Sequence, residues 1–251
     1  MSKFSKAKSA VRKKITFKPN FDLLNKSEQL GRLKVDSDNL ENIGEPPYLA
    51  VFNKSGKTLV YLAARHRAQE TYRKVDLSFD KFRPRIAVVE HERGCRVEIF
   101  GLNEGKPFMS EAVYTAAIAV KNNIPVIFAD LSNDDMRKVL AEQNPGQSFG
   151  EKKLHKILSE GDPTLKKGEL NRFSYQLNKY GRDPFMLKNI SDALNKHDVV
   201  FAVFGEGHYR THRLVLEDML GKPEYIFLDK ISERNFVIPA KAGIGSKKCE
   251  R

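Results

Sequence analysis

Four short apolar, β-branched runs in this sequence are each followed at once by ionisable side chains. His66 comes after Thr58-Leu-Val-Tyr-Leu62, Glu90 after Arg85-Ile-Ala-Val-Val89, and Asp130 after Pro125-Val-Ile-Phe-Ala129, while Val199-Val-Phe-Ala-Val-Phe204 leads into Gly205-Glu-Gly-His208. Near-continuous apolar runs of this length read as strands covered on both faces. In an open parallel sheet, ligands bind beyond the carboxyl ends of the strands. The sequence therefore predicts two histidines and two carboxylates meeting in one crevice, a set able to hold a divalent metal or to move protons.

Each position also has an ordinary structural reading. His66 lies in the basic segment Ala63-Ala-Arg-His-Arg67, where a lone histidine is commonly a surface residue. Glu90 opens the charged run Glu90-His-Glu-Arg93, and Asp130 precedes Ser132 as a loop or capping group would. The glycine pair around Glu206 says more, because glycines between a strand and a helix permit a tight turn and set His208 at a helix N-terminus. There the helix dipole disfavours the imidazolium, which predicts a neutral ring able to bind a metal or accept a proton. His212 is four residues further on, but Tyr209 stands where a His-Glu-x-x-His zinc site has its glutamate, so His212 reads as a surface or packing residue. No third glycine completes a dinucleotide fingerprint, and neither a P-loop nor a nucleophile elbow is present.

The elements that must position these residues are readable from the pattern. Tyr48 to Phe52 and Thr58 to Leu62 flank Asn53-Lys-Ser-Gly56 and read as a hairpin. Ser110 caps a helix carrying Val113, Ala116, Ala117 and Val120 on one face, and Ser132 with Asp135 starts a helix through about Glu142. Met186, Ile190, Ala193, Leu194 and His197 repeat at helical spacing, and Tyr225 to Leu228 reads as a further strand. The polar stretch from Gln143 to Arg182 reads as a helical insertion or cap. The expected architecture is α/β: a mainly parallel central sheet flanked by helices, entered through an N-terminal β-hairpin, with the insertion or cap before the last core strands. As domains, the sequence predicts a flexible basic arm over residues 1–21, one α/β domain over 22–239 with the insertion at about 143–182, and a basic tail over 240–251.

The chain of 251 residues has 44 Lys and Arg against 32 Asp and Glu, a formal net charge of +12, and 40% hydrophobic residues. No uninterrupted apolar run reaches the ~18 residues of a membrane-spanning helix. Every charged residue from Met1 to Phe21 is basic, and Lys241, Lys247, Lys248 and Arg251 face only Glu250, so the excess charge belongs to the ends. A nucleic-acid-binding domain carries its basic stripe on the fold itself, so nucleic acid is expected to bind only weakly, through the tails. Cys95 and Cys249 cannot supply a disulfide framework or a four-thiolate zinc site, and no secretory signal pattern is present. The expected setting is reducing and cytoplasmic.

In chain order, the hairpin leading to Ala63-x-x-His66, the strand ending in Glu90, the helix opening Ser110-Glu-Ala-Val-Tyr114, the Arg182-Asp183 pair opening a helix with Met186, and the strand before Gly205-x-x-His208 form a pattern. This pattern resembles the superfamily containing TraB/PrgY/GumN-like proteins, Tiki proteases, ChaN-like proteins and erythromycin esterases, over roughly Tyr48 to Leu228. The resemblance implies two apposed Gly-x-x-His motifs and a strand-end glutamate around one cleft. Tiki-like members are described as metal-dependent peptidases, erythromycin esterase-like members as hydrolases using a His-activated water, and ChaN-like members as haem binders. Carried over, His66, Glu90 and His208 would hold a divalent ion such as manganese, cobalt, zinc or iron. In a metal-free version His66 is the base, Glu90 fixes its tautomer, and His208 or Arg182 stabilises the oxyanion. Either version cleaves an ester or peptide bond in a small-molecule or peptide substrate. Glu111, Asp130 and Tyr209 are the expected substrate-orienting groups, the resemblance implies for Glu111 and Arg182 either that role or a supporting one behind the reacting groups, and a haem-binding alternative would use a histidine or Tyr209 as axial ligand. Ala63 departs from the glycine of the first motif.

Overall fold

A computed structural model of the protein describes residues 15–24, 45–66, 68–92, 110–161 and 168–226. Most of the expected basic arm, the basic tail, both cysteines, and residues 227 and 228 of the last expected strand lie outside these.

The described residues build an α/β fold around a six-stranded mixed sheet, ordered β4-β3-β5-β2-β1-β6. Its strands are β1 (Tyr48–Lys54), β2 (Lys57–Ala64), β3 (Ile86–Glu92), β4 (Val126–Asp130), β5 (Val199–Gly205) and β6 (Glu224–Ile226). β2, β5, β3 and β4 run parallel, so their carboxyl ends share one edge of the sheet. β1 pairs antiparallel with β2 and with β6. Between β1 and β2 the chain reverses at Ser55 and Gly56, both at positive φ. Glycine adopts that conformation without steric cost, which explains its place in the turn.

The alternation of side chains along each strand sorts the core onto two faces. Val60, Leu62, Phe201 and Val203 pack with Val75 and Phe79 of α1 (Gln69–Phe82) and Ala112 and Ala119 of α2 (Glu111–Lys121). Tyr61, Ala63, Ala202 and Phe204 face the other way. They pack with Met186, Ile190 and Leu194 of α6 (Asp183–Lys196) and Val215 and Leu216 of α7 (Glu206–Leu220). Ala63 is fully buried in this second layer, where its methyl fills core volume.

The chain between β4 and α6 has an apolar cluster of its own. Leu131, Met136, Leu140, Phe149, Leu154, Ile157, Phe173 and Leu177 join α3 (Asn133–Gln143), α4 (Glu151–Glu160) and α5 (Gly168–Leu177). This cluster begins at Leu131, earlier than the boundary expected near residue 143, because Met136 and Leu140 turn toward α4 and α5. Both expected serine caps are present: Ser110 accepts from the Val113 N–H and Ser132 from the Asp135 N–H.

Phe17, expected within the basic arm, is held against the fold. Phe17 is buried, and Asn195 of α6 brackets its backbone, accepting from Phe17 N at 2.8 Å and donating to Phe17 O at 2.9 Å. Ser191 adds a second donor to that carbonyl at 2.7 Å. An apolar side chain with its peptide groups satisfied outweighs the surrounding charge, which composition alone could not reveal. No helix among the described residues is long and apolar enough to cross a membrane.

Candidate functional site

The four parallel strands deliver their terminal side chains to one edge. His66 lies two residues beyond β2, Glu90 on β3, Asp130 at the end of β4, and Gly205 where β5 turns into α7. A methyl group on Gly205 would lie 2.9 Å from His66 Nε2 and 3.5 Å from Glu90 Oε2. Both groups therefore border the point in front of the β5 terminus.

His66 is the exposed member, its side chain 67% accessible, and its Nδ1 sits 2.5 Å from Oε1 of the buried Glu111 at the start of α2. The expected tautomer-fixing partner is Glu90; the structure gives that place to Glu111, the first residue of α2, a helix that packs chiefly on β3. The hydrogen bond to Glu111 is the main cause that raises the His66 pKa above its ordinary 6.5, against the opposing effect of burial. With Nδ1–H held by a carboxylate, the neutral ring presents Nε2 as its lone-pair acceptor toward the cleft.

Arg182 knits the floor. Its Nε and Nη2 bind Asp130 at 3.0 and 2.7 Å, Nη2 also reaches Glu90 Oε1 at 2.9 Å, and Nη1 binds Asn178 at 3.1 Å. Burial alone would lower its pKa, but Asp130 and then Glu90 hold it charged. Its donors point at protein acceptors, so Arg182 holds the supporting position that the resemblance implied for it and not that of a free oxyanion donor. Asp130, expected to orient substrate, is its bidentate partner and also accepts from Leu131 N at 2.8 Å.

A π-helical turn, Asn178–Arg182, connects α5 to α6. Such turns reset the direction of the side chains that follow. Gly181 within it lies against Leu131 and α3, where a Cβ would come 2.9 Å from Leu131 Cδ1 and 3.2 Å from Val139. The turn presents Arg182 to Glu90 and Asp130 and, one residue later, Asp183 to two histidines.

His208 places Nδ1 2.6 Å from Asp183 Oδ1 and Nε2 3.2 Å from Glu90 Oε1. A ring flanked by carboxylates on both nitrogens donates from both, so it is an imidazolium. Burial pushes its pKa down, but the charges of Glu90 and Asp183 outweigh this and raise it to about 10. The neutral His208 expected from the helix dipole is thereby corrected: two carboxylates within hydrogen-bond reach overcome a partial charge at a helix end. Glu90 and Asp183 are in turn held ionised against burial, chiefly by His208.

The chain of contacts continues inward. His212 Nε2 lies 3.0 Å from Asp183 Oδ1, and its Nδ1 lies 3.1 Å from the Tyr61 hydroxyl. His212 is fully buried, the packing alternative of the expectation, with its ring against Tyr61 and Phe204, and burial lowers its pKa. The proton assignment follows: Tyr61 donates to neutral His212, which donates to Asp183. Tyr209, expected as a substrate or axial-ligand residue, points away from the cleft. It is fully buried against Tyr48 and Tyr61, and its hydroxyl donates to that of Tyr225 at 2.9 Å.

A metal held by His66, Glu90 and His208 does not fit this geometry. Glu90 already accepts from Arg182 and from Gly205 N at 2.8 Å, the Arg182 guanidinium would sit beside the ion, and these three residues are not a set whose donor atoms converge within 4.8 Å. The metal-ligand set that does converge is Asp183, His208 and His212, whose donor atoms lie within 4.8 Å of one another.

The close approach at Gly205 gives the first test. Gly205→Ala keeps an ordinary φ of −55°, so the backbone tolerates it, but the new methyl must push His66 Nε2 aside. The expected outcome is a displaced His66 ring, read as a change in its imidazole NMR signals. A thermal melt close to wild type would accompany it, because the group that yields is the tip of an exposed side chain.

Comparison with protein-family models, curated proteins and solved structures finds no match to this chain.

Proposed function

We propose that the protein is a hydrolase of ester or peptide bonds in which His66 is the general base. The observation that carries this reading is the 2.5 Å contact between His66 Nδ1 and the buried Glu111, with Nε2 directed to the strand end beside Gly205. An accessible imidazole whose far nitrogen is locked by a carboxylate is the arrangement that activates water or a hydroxyl for attack.

In the reaction, a water between His66 Nε2 and the substrate carbonyl gives its proton to Nε2 as its oxygen attacks the carbonyl carbon. Glu111 stabilises the imidazolium so formed. The proton then passes from Nε2 to the leaving alkoxide or amine as the tetrahedral intermediate collapses. The developing oxyanion is placed at the first N–H groups of α7, which starts directly after Gly205 without a side-chain cap. Glu90, His208, Arg182 and Asp130 support this floor and take no proton from substrate.

The substrate is a small molecule or a peptide. Its selection is assigned to the helical insertion, which would act as a cap, and the setting to a reducing cytoplasm. A panel of p-nitrophenyl esters and chromogenic peptides, read as kcat/KM against pH, tests the reading. Only the neutral ring is a base, so the rate must rise with pH as His66 loses its proton. Because Glu111 raises that pKa, the midpoint of the rise is expected above 6.5. A rate independent of pH between about 5 and 9 overturns it, since a histidine base titrates in that interval.

A further inference from the structure

We propose that Asp183, His208 and His212 form a buried site for one divalent transition-metal ion of the zinc class, behind the hydrolytic cleft and separate from His66.

The ligand types are those that zinc, cobalt, manganese and iron take, one carboxylate and two imidazoles. The scaffold brings them together for reasons visible in the chain. His208 and His212 are four apart on α7 and share a helix face. Asp183 opens α6, delivered by the π-helical turn. Their exposures are 3%, 9% and 0%, so the ligands are already desolvated and held.

The surroundings of the two rings match a metal site more closely than a chance cluster would. A metal-bound histidine gives its remaining N–H to an acceptor that fixes the ring. With His208 bound through Nδ1, Nε2–H points at Glu90 Oε1, 3.2 Å away. With His212 bound through Nε2, Nδ1–H points at the Tyr61 oxygen, 3.1 Å away. The tyrosine hydroxyl can accept as well as donate, so it suits either state of the ring.

The neighbourhood is rich in carboxylates: Asp183 lies behind Glu90 and Asp130, which share Arg182, so a cation bound at Asp183 adds positive charge beside them.

An ion about 2.1 Å from each donor atom needs neighbouring donors about 3.4 Å apart in tetrahedral geometry. The present separations from Asp183 Oδ1 are 2.6 and 3.0 Å. Reaching it takes side-chain shifts of about 0.8 and 0.4 Å from these separations.

The test is cobalt(II) and zinc(II) uptake by the full chain without a histidine tag, read by elemental mass spectrometry and by the visible absorption of bound cobalt. One equivalent is expected in wild type and in His66→Ala. His212→Gln is expected to lose it, and Tyr61→Phe to weaken affinity about 10- to 100-fold. If His212→Gln fails to fold, Tyr61→Phe decides. No uptake by folded wild type, uptake unchanged in both variants, or uptake lost in His66→Ala would each overturn the proposal. Metal content is read without turnover, so this result is independent of whether His66 is a hydrolytic base.

Discussion

His66→Ala is expected to lower kcat/KM for ester hydrolysis by about 10²–10⁴-fold, the range that a positioned general base contributes. The same substitution is expected to leave the fold intact. His66 lies outside the core with its side chain 67% accessible, and the contact it gives up is the one to Glu111. The two readouts belong together: a large kinetic loss with an unchanged melting curve marks a group that acts on substrate. Exogenous imidazole should return part of the lost rate, because the space left by the ring opens to solvent while Glu111 stays in place. A variant that melts early and also hydrolyses slowly would place His66 among the structural groups instead.

Arg182→Ala should produce the largest loss of stability. Its guanidinium is the shared partner of Asp130, at 2.7 Å, and Glu90, at 2.9 Å, and all three side chains are at most 15% accessible. Removing one partner from a buried ion pair typically costs 3–5 kcal/mol, because the remaining charge stays buried and unpaired. In a chain of this size that amounts to roughly 6–20 °C in Tm. Arg182→Lys keeps the charge but has neither the fork that spans both carboxylates nor the third arm that reaches Asn178, so an intermediate loss is expected. Thermal denaturation of the three proteins side by side checks the order. Equal melting temperatures would show that solvent already compensates Glu90 and Asp130.

Much of this site could be read in the sequence because strand ends are positional information. An apolar run followed by an ionisable residue needs only a parallel sheet to place that residue on the ligand-binding edge, and His66, Glu90, Asp130 and the Gly205 turn all obey this rule. The pairings among them were not legible. Whether His66 meets Glu90 or Glu111 depends on where the first turn of α2 lies, a tertiary relation that spacing does not encode.

Tyr61, Asp183 and His212 were missed for different reasons. Tyr61 sits in an apolar strand and reads as core, which its ring is, although its hydroxyl serves His212. Asp183 enters the sequence pattern only as half of the Arg182-Asp183 pair, with no role of its own. His212 carried the one available signal, its spacing of four from His208, which was set aside because Tyr209 replaced the glutamate of a known motif. The spacing matters here because Asp183 arrives from another helix, something a linear motif cannot report.

The pH dependence of kcat/KM for Glu111→Gln beside wild type tests the central claim most directly. Glutamine keeps the shape of Glu111 but removes the charge that stabilises the His66 imidazolium. The prediction is a lower kcat/KM together with a rising limb whose midpoint moves down from its wild-type position above 6.5. A variant whose rising limb stays where it is in wild type would contradict a Glu111-supported His66 base.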